Sequence, residues 1–162
     1  MSQSPEHQGR RDSPTGEDGI SLYVHVPFCL SKCPYCDFNT YQGIETQFGD
    51  FLTAVVQELK AWSVALGRPS VNTIFLGGGT PSYLPDGDVG RILDAISSDY
   101  PVRADAEITA ECNPNDLTAP RCEDLRAAGV TEHGQRAAGH AGPSPRRCGG
   151  CGGSGPLSQR RL

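Results

Sequence analysis

Three short β-branched runs, each followed by a stretch with helical periodicity, fill residues 20–130 and commit this chain to an α/β fold. Ser21-Leu22-Tyr23-Val24-His25-Val26 is β-branched and aromatic, and Pro27 ends it, which predicts a first strand. From Glu45 to Leu66 the apolar residues fall at 48, 51, 52, 55, 56, 59, 62 and 66. That is helical spacing, with Gly67 and Pro69 just past the end. Residues 71–76 read as a second strand, broken by Gly77-Gly78-Gly79. Pro85 and Asp86 open a second helix whose buried face is Val89, Ile92, Leu93 and Ile96. Residues 106–112 alternate through Ile108 into Asn113-Pro114, a third strand and its exit turn. Thr118 caps a third helix that runs through Leu125 and stops at Gly129. Such a succession predicts parallel strands joined by right-handed crossovers, with ligand loops at the C-terminal strand ends. On that rule the cysteine loop after the first strand, the triple glycine after the second and Glu111 near the end of the third share one edge.

The flanks are of a different kind. All five Phe, all five Tyr and the one Trp lie within residues 20–130. Residues 1–19 hold no large apolar residue except Met1 and read as a disordered leader. Residues 131–162 contain 8 of the 20 glycines, five arginines, one acid and only two leucines as large hydrophobes. That tail carries +4 against −9 for residues 1–130, and its composition predicts no core. The overall charge of −5 gives no reason to expect nucleic acid as a partner. No apolar run is long enough to span a bilayer, and Arg10-Arg11 has no apolar stretch behind it to make a secretory signal. The expected location is cytoplasmic, where clustered cysteines suggest metal rather than disulfides; the seven cysteines are also an odd number.

Cys29-Leu30-Ser31-Lys32-Cys33-Pro34-Tyr35-Cys36 places three thiols within eight residues. A loop that short can wrap three thiolates around one four-iron core and leave the fourth iron open to a chelating amine and carboxylate. Lys32 adds positive charge that favours thiolates. Other readings stand beside this one. Cys33 and Cys36 are also the spacing of half a zinc site, with Cys148 and Cys151 as the other half, or of a redox dithiol. His25 reads as a strand residue with a satisfied ring, and Cys112 and Cys122 as small hydrophobes. Gly77-Gly78-Gly79-Thr80-Pro81 offers three successive backbone N–H groups and a close approach to a ligand, but no Gly-Lys-Ser/Thr follows to make a phosphate loop. Glu111 can accept from ribose hydroxyls or stand as a solvated strand-end charge.

Together these residues resemble the radical S-adenosylmethionine (SAM) superfamily, whose cluster motif is C-x-x-x-C-x-aromatic-C. Leu22-Tyr23-Val24-His25-Val26-Pro27-Phe28-Cys29, Cys33-Pro34-Tyr35-Cys36-Asp37-Phe38-Asn39, Phe75-Leu76-Gly77-Gly78-Gly79-Thr80-Pro81-Ser82 and Glu107-Ile108-Thr109-Ala110-Glu111-Cys112-Asn113-Pro114 are similar to the oxygen-independent coproporphyrinogen III oxidase family. Cys36-Asp37-Phe38 lacks the further cysteine of the authentic oxidases and resembles the heme chaperone branch. The resemblance covers residues 21–130 and implies the first three βα units of a partial (βα)6 barrel. It implies a 4Fe-4S cluster on Cys29, Cys33 and Cys36, and SAM contacts at Tyr23, Tyr35, Gly78, Gly79, Thr80 and Glu111. In the family the reduced cluster cleaves SAM to methionine and a 5′-deoxyadenosyl radical. The oxidases use it to decarboxylate porphyrinogen propionates, whereas the chaperone branch binds heme and delivers it to acceptor proteins.

After Val130 the chain departs from the family, which continues with a fourth strand, a Gln-Ser step and a further helix. The jump to Gly, Arg, Pro and Ala suggests a GC-rich gene read out of frame. Back-translating residues 139–146 with a one-base shift permits Ala-Thr-Leu-Asp-Arg-Leu-His, which is similar to the family's helix. A natural disordered tail is the other reading. On either, three units leave a sheet edge open, and the chain is expected to bind SAM weakly and not to turn over.

Overall fold

A computed structural model describes residues 19–135 and 146–147. Strand β1 (Ile20–Val26) leads through a long loop to helix α1 (Phe48–Ala65); β2 (Val71–Gly78) is followed by α2 (Asp88–Asp99), and β3 (Val102–Cys112) by α3 (Ala119–Ala128). Two further short strands, β4 (Glu132–Gln135) and β5 (Arg146–Arg147), complete a sheet of order β1-β2-β3-β4-β5. Strands β1 to β4 run parallel and β5 pairs antiparallel to β4. The expected α/β architecture of three successive βα units is therefore present.

Alternation in the strands divides the sheet into two unlike faces. Val24, Val26, Ile74, Leu76, Ile108, Ala110 and Cys112 are buried, in one core with Leu52, Leu59, Val89, Ile92, Leu93, Ile96 and Leu125 of the three helices. Tyr23 and Phe75, which stand opposite each other in the register, remain exposed. In α2 the four residues that the periodicity picked out are all fully buried. The apolar stripe of α1 is narrower than expected. Leu52, Leu59 and Ser63 face inward, while Trp62 and Leu66 are exposed. Polar bonds replace apolar contact at that end: Ser63 Oγ donates to the Asp99 carbonyl, and Tyr100 OH donates to the Leu59 carbonyl at 2.9 Å.

The capping signals work as the residue types require. Thr118 caps α3, its hydroxyl accepting from the Arg121 N–H at 3.4 Å. Gly129 closes α3 in the left-handed region at φ 105°, a conformation that carries little penalty without a Cβ. The segment that opens at Glu45 is a short 3-10 turn (Glu45–Gln47) before α1 proper, and α2 begins at Asp88 behind Gly87 rather than at Pro85.

The sheet departs from expectation at its far edge. The composition of residues 131–162 predicts no core and three βα units leave a sheet edge open; at that edge Glu132–Gln135 pairs with residues 109–112 of β3 as a fourth parallel strand. The main chain and the Thr131 hydroxyl start this pairing. Thr131 N donates to Ile108 O at 2.9 Å, and Ile108 N donates to Thr131 Oγ1 at 2.9 Å. An exposed strand edge presents unpaired amides and carbonyls, and satisfying them requires no large side chain. Most of the leader (1–18) and the rest of the tail (136–145 and 148–162), including Cys148, Cys151 and the rest of the segment read in a shifted frame, lie outside the described residues.

Candidate metal and cofactor site

The cysteine loop leaves β1 and returns to its end. Tyr41 N donates to Pro27 O at 2.7 Å and Cys29 N to Tyr41 O at 2.9 Å, so the loop closes on itself at its base. Within it, Cys36 N donates to Cys33 O at 3.0 Å. Lys32 is a loop brace: its N–H donates to Gln42 Oε1 at 2.9 Å and its ammonium to Phe38 O at 3.3 Å. Cys29, Cys33 and Cys36 form no disulfide and are half-buried, reachable by a ligand yet held in place.

His25 ties the loop's return to the strand. Its Nε2 lies 2.8 Å from the Asn39 carbonyl, which can only accept, so Nε2 carries the proton. Nδ1 is then the acceptor for Tyr23 OH at 3.2 Å. Both ring nitrogens are used within the protein, as expected of a strand residue with a satisfied ring.

The triple glycine sits against this loop. Strand β2 runs two residues further than expected, so Gly77 and Gly78 belong to the sheet. Gly78 N donates to Glu111 Oε2 at 3.0 Å and Gly79 N to Val26 O at 2.7 Å. The expectation of three free N–H groups is thereby corrected: the Glu111 carboxylate takes that of Gly78 and the Val26 carbonyl that of Gly79. What the glycines provide is close approach. A Cβ on Gly78, at φ 102°, would lie 2.4 Å from the His25 ring, and one on Gly79 would lie 2.5 Å from the Val26 and Phe28 carbonyl oxygens. Parallel pairing thus continues past the strand ends, and Thr80 N donates to Phe28 O at 2.8 Å. Thr80 Oγ1 reaches Cys29 Sγ at 3.6 Å.

Cysteine loop, glycine loop and Glu111 therefore meet at one edge, joined by the Thr80–Cys29 and Gly78–Glu111 bonds. Tyr23 stacks on Phe75, with ring centroids 5.9 Å apart and planes 18° from parallel, on the open sheet face beside them. Tyr35 is exposed at the tip of the cysteine loop. Cys112 is buried as expected of a small hydrophobe, whereas Cys122 is exposed on α3.

Three participants were missed in the sequence. Phe75 had a signal, since it falls in register with Tyr23. Thr40 follows the third cysteine by four residues, and its hydroxyl is 3.9 Å from Cys36 Sγ. Arg121 had none. Although only 5% exposed, it donates to Asp86 at 2.8 Å, Asp124 at 2.9 Å, the Leu84 carbonyl at 2.7 Å and the Pro81 carbonyl at 3.4 Å. It grips the chain just after the glycine loop. Ser82, in the same segment, donates to Asp116 at 2.8 Å and accepts from Asn113 N at 3.0 Å. At the surface Tyr83 OH donates to Glu45 at 2.7 Å, which lowers the Glu45 carboxyl pKa and raises that of the Tyr83 hydroxyl.

Comparison with known proteins decides the family. A match to the radical SAM superfamily covers residues 23–133, the span that holds every site residue above. The chain belongs to the radical SAM superfamily. It is 44% identical over 114 residues to the heme chaperone HemW of Escherichia coli, a match covering 68% of this chain and 30% of that protein. It is 38% identical over 117 residues to the heme chaperone HemW of Mycobacterium tuberculosis, covering 69% and 30%. The solved structure of coproporphyrinogen III oxidase (HemN) from Escherichia coli, a radical SAM enzyme, superposes with a TM-score of 0.66 at 30% identity, over 71% of this chain and 27% of that one. The chain spans under a third of the length of these relatives.

The donor set fits the cluster that this superfamily implies. Among the described residues no three His, Cys, Asp or Glu side chains converge as a single metal ion would require. A four-iron core asks for something else, since each thiolate binds a different iron and the three sulfurs surround the core from separate corners. Three cysteines free of disulfides on one closed loop, at the motif spacing, are compatible with that set.

Proposed function

We propose that this chain holds a 4Fe-4S cluster on Cys29, Cys33 and Cys36, binds SAM beside it, and serves heme or porphyrin handling as a heme chaperone-type protein in the cytoplasm. The observation that carries the reading is the meeting of the two loops at Thr80, 3.6 Å from Cys29 Sγ, with Glu111 fixed next to them by the Gly78 N–H. The heme side of the reading is supported by the HemW relatives and by Cys36-Asp37-Phe38, where the authentic oxidases carry another cysteine. Authentic coproporphyrinogen oxidase activity is the lesser reading for that reason.

When bound, the cluster supplies the electron for reductive cleavage of SAM. The protein's own residues do the holding. Glu111 presents a carboxylate for the ribose hydroxyls, Tyr23 and Tyr35 present aromatic faces, and Gly78, Gly79 and Thr80 let the cosubstrate lie close to the main chain. No helix among the described residues is long and apolar enough to cross a membrane. Heme-acceptor proteins are the proposed partners.

Anaerobic reconstitution with iron and sulfide tests the cluster. The expected result is a brown chain with about four iron per molecule, and loss of colour on changing Cys29, Cys33 or Cys36 to Ser. Full iron content in Cys29→Ser would overturn the three-ligand assignment. A colourless chain that binds zinc, and loses it when Cys148 and Cys151 are changed to Ser, would establish a zinc-stabilised binding module instead. Hemin titration of the reconstituted chain, expected to saturate at one equivalent, tests the heme side.

A further inference from the structure

Two of the three cysteines have a threonine hydroxyl beside the sulfur. Thr80 Oγ1 donates to Cys29 Sγ at 3.6 Å, and Thr40 Oγ1 lies 3.9 Å from Cys36 Sγ. Both threonines are fixed by their main chains, Thr80 N to Phe28 O at 2.8 Å and Thr40 N to Phe38 O at 2.7 Å. Thr40 is only 1% exposed, so its hydroxyl has no supply of solvent partners. A β-branched side chain in a fixed backbone has few rotamers, which holds each hydroxyl near its sulfur. In the thiol state either member of the Cys36–Thr40 pair can donate. Once the sulfurs are deprotonated to bind metal, only the hydroxyls can.

We propose that Thr80 and Thr40 are positioning residues for the cluster, donating to the Cys29 and Cys36 thiolates and raising the cluster's reduction potential. This rests on the cluster reading of the preceding section. A hydrogen bond donated to a cluster sulfur stabilises negative charge there. The reduced cluster carries one more electron than the oxidised one, so it gains more from the bond, and the potential rises. Thr80 comes from the glycine loop and Thr40 from the return of the cysteine loop, so the two bonds tie the cysteine loop to two different segments.

The test compares the wild-type chain with Thr80→Val, Thr80→Ser, Thr40→Val and Thr40→Ser. Each is reconstituted anaerobically, and its iron is counted. Each is then titrated with dithionite against redox mediators, with no SAM present, so that any contact of Thr80 with SAM plays no part. The expected result is a shift to more negative potential in each Val variant, a larger shift in the double Val variant, and potentials near wild type in both Ser variants. A Val variant that fails to hold iron while its Ser counterpart holds the wild-type amount supports the same role. Equal potentials and iron contents across wild type, Val and Ser would overturn it. So would loss of iron in Ser and Val alike, since the hydroxyl would then rescue nothing. Wild-type chain that takes up no iron would bring down the cluster reading itself. Wild-type uptake with unshifted Val variants would bring down this inference alone.

Discussion

Gly79 has no room for a side chain, because a Cβ there would lie 2.5 Å from the main-chain oxygens of Val26 and Phe28. Backbone cannot swing aside as a long side chain can, so β1 and β2 would have to separate at the point where the cysteine loop begins. Gly79→Ala is expected to destabilise the chain by about 1–3 kcal/mol, the usual range for overpacking, read from denaturant unfolding. Iron retention should fall with it. Gly90 is the control. A Cβ there meets only the Ala128 methyl at 3.7 Å, inside helix α2. Gly90→Ala should therefore stabilise by about 0.5–1 kcal/mol. Equal effects at the two glycines would refute the close-approach account of the triple glycine. At this scale the sequence named the glycines but misread what their amides do. The Gly78 and Gly79 amides are taken by Glu111 and Val26, partners 33 and 53 residues away that no local pattern could name.

A helix secures the chain next to the glycine loop. Helix α3 does so through Arg121, whose buried guanidinium takes two carbonyls and two carboxylates around the segment after the glycine loop. Burying a guanidinium is costly unless its donors are satisfied, and one, Nε, has no partner. Removing it would leave the Leu84 carbonyl without its donor and strip Asp124 of a cation, while exposed Asp86 would return to water. Arg121→Met is expected to cost about 1–3 kcal/mol, the range for a buried hydrogen-bonding partner lost. Amide exchange should quicken selectively between Leu84 and Gly87. Uniform quickening across the sheet would show a general packing role rather than a grip on this segment. The three βα units, the Thr118 and Gly129 caps of α3 and the buried face of α2 were readable because they follow from period and local stereochemistry. Trp62 and Leu66 were misplaced because the α1 stripe is decided by where α2 lies, with Ser63 taking the inward position.

At the scale of the molecule, the described residues cover the parallel sheet on one face only. Parallel sheets ordinarily need both faces packed, and here Tyr23 and Phe75 stand open on the second face while Trp62 and Val64 of α1 and Leu66 just past its end are exposed. The chain is therefore expected to bind a hydrophobic dye such as ANS and to unfold over a broad denaturant range. A sharp unfolding transition without dye binding would show that the open face is closed in solution. Radical SAM membership and the α/β order could be read from the sequence alone, because motif spacing, strand alternation and helix caps are local properties of the chain. The fourth strand could not. Residues 132–135 have no strand-forming character of their own, and they pair because β3 offers an unsatisfied edge where Val130 is buried and Thr131 bonds Ile108. The same holds for Arg121 at the glycine loop and for Thr80 beside Cys29. Those pairings to Asp86, Leu84, Pro81 and Cys29 join residues 35 to 51 positions apart, between segments that come together only when the sheet forms.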